Sequence, residues 1–126
     1  MKHLSKFLYL AGIICFFITS AIAHPPDSLE LNLDSTGILS IKVFHTVKDE
    51  AKHYITKIVV ELNGKEIIQQ SVNSQVSKNE QHALYRIIDA QEGDKITVTA
   101  ICNITGKKKE TLMKTAPEKV ETEKEE

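Results

Sequence analysis

In YITKIVVELNGKEIIQQSV, residues 54–72, two runs rich in β-branched residues flank Asn63-Gly64. That dipeptide suits a two-residue turn with positive φ at both central positions, the geometry that joins antiparallel strands without splaying them. A hairpin is expected here. It sets the class of the whole chain, because the hydrophobic period on either side of it is also two. Leu29, Leu31 and Leu33 alternate with Glu30 and Asn32, and Leu39, Ile41 and Val43 alternate with Ser40, Lys42 and Phe44. Asp34-Ser35-Thr36-Gly37 supplies turn chemistry between these two runs. QHALYRII, from Gln81, is a further strand candidate. Glu92-Gly93-Asp94 then turns the chain into KITVTAICN, where Ile96, Val98, Ala100 and Cys102 share a face, and after Gly106 the segment KKKETLM pairs back. No segment carries a helical stripe. About seven short strands with regular turns predict an all-β fold, an immunoglobulin-like antiparallel β-sandwich.

The N-terminus has a different character. Lys2 and Lys6 precede the apolar run FLYLAGIICFFITSAIA, which ends in the small-residue pattern Ala21-Ile22-Ala23. This is the layout of a secretory signal peptide over residues 1–23. It predicts a mature chain beginning at His24 and a periplasmic or secreted location. Removing it takes two of the 16 basic residues and none of the 17 acidic ones, so 14 face 17 and the formal charge moves from −1 to −3. That balance argues against a nucleic-acid partner, which selects a basic face. No membrane association is expected after cleavage. At the other end, residues 115–126, closing in APEKVETEKEE, are charged and poor in apolar side chains, as in a solvated tail. One domain over residues 24–114 is left. A chain of that size buries only about 60–65% of its unfolded surface, and Cys102, alone after cleavage, has no disulfide partner.

Candidate chemistry gathers at strand ends. His45 closes the second strand, His53 opens the third, His24 precedes Pro25-Pro26, and Cys102 closes a late strand. Strand ends at one pole of a sandwich lie close together, so three imidazoles and one thiolate could converge there. Such a set suits iron, zinc or copper, and coordination would account for the unpaired thiol. Taken singly, each residue also has a plainer reading. A lone cysteine on an apolar strand face is ordinarily a small buried hydrophobe, and His45 and His53 are ordinary residues for a surface loop. His82 lies in a polar-flanked strand and gets no role. Asn103-Ile104-Thr105 matches the short glycosylation acceptor pattern.

The motifs around these residues resemble those of the desulfoferrodoxin family, the superoxide reductases. KHYITKIVVELNG is similar to that family's HYIxxIEL segment, AICNITG to its YCNIHG, and His24-Pro25-Pro26 to its N-terminal HVP. His45 falls where the family's metal loop opens. The resemblance runs from His24 to about Leu112. It implies a β-sandwich holding one mononuclear non-haem iron, with His24, His45, His53 and Cys102 matching ligands. It also implies a ferrous centre that reduces superoxide by one electron, supplied by a donor protein. The family's rubredoxin-like module has no counterpart here, and Thr105 stands where its last histidine would be. The loop between His45 and His53 is longer than is usual there, and the family's Glu-Lys pair is not evident. Three histidines and a thiolate would also make a closed zinc site or a copper site, as in a carrier protein without turnover. A sandwich that kept the fold and lost the metal is the remaining expectation.

Overall fold

The computed structural model describes residues 24–116. The segment expected to be a signal peptide, residues 1–23, lies outside them, as do residues 117–126 of the expected tail.

Seven strands follow in order: β1 Ser28–Leu33, β2 Ile38–Phe44, β3 Ile55–Leu62, β4 Lys65–Ser71, β5 Glu80–Arg86, β6 Lys95–Cys102 and β7 Lys107–Met113. They form two antiparallel sheets, ordered β1-β2-β5 and β4-β3-β6-β7. The fold is thus the all-β sandwich that the alternation predicts. Asn63 at φ 51° and Gly64 at φ 83° close the β3–β4 hairpin as that dipeptide should. In the β1–β2 turn, Asp34 accepts hydrogen bonds from the Thr36 hydroxyl at 2.7 Å, the Thr36 amide at 2.8 Å and the Ile38 amide at 2.9 Å.

The period-two faces meet in the middle. Leu39, Ile41 and Val43 from β2 pack with Ile58 and Val60 from β3 and with Ile96, Val98 and Ala100 from β6. Thr97 and Thr99, on the opposite face of β6, are buried as well, and the Thr97 hydroxyl bonds that of Thr111 at 3.0 Å. Alternation therefore understates the burial of β6, which lies between β3 and β7 within its sheet.

Register fixes the functional pole. Ser28 pairs with Phe44 and Phe44 with Glu80, while Ile55 pairs with Cys102. The start of β1, the end of β2, the start of β3 and the end of β6 are therefore stacked at one end. A register shift between Ile55 and Lys57 distorts β3 at that end, a place where bulges commonly re-aim side chains.

Candidate metal centre

His45 leaves the end of β2 and is fully buried. Its backbone is fixed by a hydrogen bond that its amide donates to the Asn79 carbonyl at 2.9 Å. Its ring is fixed by Gln75, a buried residue of the β4–β5 loop. Gln75 Nε2 donates to the His45 carbonyl at 2.6 Å and to the Ser77 carbonyl at 2.9 Å. Both of its amide protons face acceptors, so Oε1 is the atom that meets His45 Nδ1 at 2.9 Å. An amide oxygen only accepts, so Nδ1 carries the proton. In the neutral ring Nε2 then bears the lone pair, which points toward His24.

His24 reaches the site through a short anchored segment. Pro26 is buried, and the Asp27 amide donates to the Phe44 carbonyl at 2.8 Å. Pro25 lies against Gly106, where an added Cβ would come within 2.7 Å of the Pro25 nitrogen. Gly106 adopts φ 94° and its carbonyl accepts from the Cys102 amide at 3.0 Å. The β6–β7 turn is thus a seat for the N-terminal segment. His24 Nδ1 lies 3.4 Å from His45 Nε2, and the protonation state of His45 makes His24 the donor.

His53 arrives from the loop between β2 and β3. Asp49 shapes that loop: its carbonyl accepts from the His53 amide at 2.9 Å and its carboxylate from the Ala51 amide at 3.0 Å. Asn103 then latches the residues on either side of His53. Its side chain accepts from the Tyr54 amide at 2.9 Å and donates to the Lys52 carbonyl at 2.9 Å, and its amide donates to the Tyr54 carbonyl at 3.0 Å. Because Asn103 follows Cys102, the latch brings His53 Nε2 to 3.1 Å from Cys102 Sγ. Burial holds the His53 pKa below its ordinary value, with the neighbouring His45 and His24 adding to the effect. The shift favours the neutral ring, the form a ligand needs.

The three rings stand edge to face, with centroids 4.7 Å apart for His24–His53 and His45–His53 and 5.4 Å for His24–His45. One nitrogen from each lies within 4.8 Å of the others, a group that could hold a metal ion. Cys102, buried and free, borders this group through His53 and accepts from the Ile104 amide at 3.4 Å. Donors bound to one ion at about 2.0–2.1 Å for nitrogen and 2.3 Å for sulfur stand about 3–3.5 Å apart. The His24–His45 and His53–Cys102 separations, 3.4 and 3.1 Å, fall in that range; the group able to hold an ion is the histidine triad, and Cys102 adjoins it at His53 without being one of its members.

The structure thus brings His24, His45 and His53 into one group and sets Cys102 against His53 at its edge. His82 is elsewhere, on β5, paired with Glu80 at 3.0 Å. Gln75, Asn103 and Gly106 carry the site's geometry and were not evident as such in the sequence. Only the Asn-x-Thr pattern drew notice to Asn103, and the structure shows both ends of its amide engaged.

No family model matches the chain, and no curated protein is a significant match. Among solved structures it is similar to a superoxide reductase (1Fe-SOR) from Giardia intestinalis, with a TM-score of 0.54 and 22% identity over 73% of this chain and 98% of that one. The chain is therefore a β-sandwich with a superoxide-reductase-like fold. At one pole of that fold it carries a histidine triad able to take a metal.

Proposed function

We propose that this is an exported metalloprotein that holds one iron ion with His24, His45, His53 and Cys102 and reduces superoxide, or a related small oxidant, by one electron. The observation that carries the proposal is the meeting of His53 Nε2 and Cys102 Sγ at 3.1 Å beside two further imidazoles. The likeness of fold to a superoxide reductase supports iron as the metal. When bound, iron supplies the one-electron chemistry. The chain's own residues prepare two of the imidazoles for it. Gln75 keeps the His45 proton on Nδ1 and so frees Nε2. Burial favours the neutral form of His53. The Ile104 amide is directed at Cys102 Sγ at 3.4 Å, a hydrogen bond of the kind that tunes a sulfur ligand's donation. Superoxide needs one electron and two protons to become hydrogen peroxide, so a donor protein must return the electron after each turnover.

Metal analysis and the visible spectrum of freshly secreted protein test this. Stoichiometric iron with a thiolate-to-iron charge-transfer band is expected, and Cys102→Ser should abolish the band. Stoichiometric zinc or copper instead would make the protein a carrier, and a colourless, metal-free protein from iron-replete cells would remove the centre. Thr105→His, in the turn after Cys102, should tighten iron retention by offering another nitrogen.

A further inference from the structure

His24 turns Nδ1 toward His45, 3.4 Å from its Nε2. This choice of nitrogen has a chemical consequence. Nδ1 and the backbone nitrogen of the same residue close a six-membered ring around a metal: the ion, the nitrogen, Cα, Cβ, Cγ and Nδ1. While residue 23 remains attached, that nitrogen belongs to a peptide bond. Its lone pair is delocalised into the carbonyl, and it is a poor donor. Hydrolysis of the Ala23–His24 bond by a signal peptidase and water leaves a carboxylate on Ala23 and a free α-amine on His24. The amine is a ligand. Pro25 has no N–H, so the next nitrogen along the chain offers no competing donor. The segment is also built to survive the cut. Pro26 is buried, Asp27 is bonded to Phe44 and Pro25 is seated on Gly106, so these anchors of His24 lie on its C-terminal side, away from the cut.

We propose that cleavage before His24 completes the metal centre: the new α-amine and Nδ1 of His24 together chelate a divalent transition ion that His45, His53 and Cys102 hold from the other sides. The centre is then assembled only after export, and the precursor is a weak binder. This rests on the metal-centre reading above and adds a fifth donor to it. The chemistry is that of a divalent first-row ion, for which amine and imidazole nitrogens are suitable donors.

The test compares the secreted chain, its start fixed by intact mass, with a form carrying one extra alanine between Ala23 and His24. Zinc(II) affinity and the cobalt(II) spectrum are read on both, since neither ion depends on displacing a backbone amide proton. The extended form should bind zinc at least about tenfold more weakly, the loss of an intramolecular second donor. Its cobalt ligand-field bands should shift while the Cys102 charge-transfer band persists. Equal affinity and identical spectra would overturn the proposal, as would an intact mass that places the mature start elsewhere. If both forms bind equally and His53→Ala abolishes binding in both, the centre stands and the amine alone is removed from it. If neither form takes up stoichiometric metal, the metal-centre reading falls, and this proposal with it.

Discussion

Gln75 Oε1 accepts from His45 Nδ1 at 2.9 Å, with both side chains buried. Thirty residues separate them, yet this bond alone dictates which nitrogen of His45 faces the other ligands. Gln75→Leu keeps the approximate volume and removes the amide. It leaves the His45 Nδ1 proton and two carbonyls without their partner, at a cost of about 1–3 kcal/mol in thermal or denaturant unfolding. Freed from its orienter, His45 should bind metal about 10–100-fold more weakly. Competition with a chelator of known affinity would measure it.

Asn103 acts on His53 in a comparable way from outside the core. Asn103→Ala removes two side-chain bonds to the loop, from the Tyr54 amide and to the Lys52 carbonyl. Stability should fall by about 1 kcal/mol, and amide exchange should quicken around Lys52–Tyr54. Metal affinity should drop, because His53 is no longer held against Cys102. Unchanged exchange in that segment would mean that Asp49 alone shapes the loop.

A pair of glycines separates backbone strain from steric contact. Gly64 and Gly106 both have positive φ, 83° and 94°. An added Cβ meets nothing within 4 Å at Gly64 but comes within 2.7 Å of Pro25 at Gly106. Gly64→Ala should cost about 1–2 kcal/mol, the penalty of that backbone conformation, and leave metal affinity unchanged. Gly106→Ala should cost more and should also weaken metal binding by pushing Pro25, and with it His24, away from the pole.

The Asp34 carboxyl is held below its ordinary pKa, first by the Thr36 hydroxyl and then by the Ile38 amide. A lowered folded-state pKa gives stability that is present above the unfolded value and is lost as pH falls through the folded one. Asp34→Asn keeps the shape of the turn and removes the charge. Its melting temperature should lie below that of the unaltered chain at neutral pH. The gap should narrow below about pH 4 and close once the carboxyl is protonated in both states. A gap that does not depend on pH would assign the effect to turn geometry instead.

The fold was largely legible in the sequence because strand alternation and turn dipeptides are local signals. Asn63-Gly64 and Asp34–Gly37 sit at the expected turns, and the strands begin and end within a residue or two of the apolar runs. The burial of Thr97 and Thr99 was not legible, since it depends on β6 lying inside its sheet. At the candidate site, residue type, position and the family resemblance pointed to His24, His45 and His53, which form the triad, and to Cys102, which lies against His53. Their supports gave no comparable signal. Gln75 lies in a polar loop and Gly106 in a turn, and each role arises from a contact with a residue distant in sequence: His45 for one, Pro25 for the other.

Among the described residues the two sheets share no strand pairing. His24 and His45 extend from β1 and β2, whereas His53 and Cys102 extend from β3 and β6. An ion gripped by all four would rivet the halves of the sandwich together at one end, in a small domain with no disulfide among the described residues to do so. Stripping the metal should then loosen the protein from that end inward, so that demetallation and the first step of unfolding become one event.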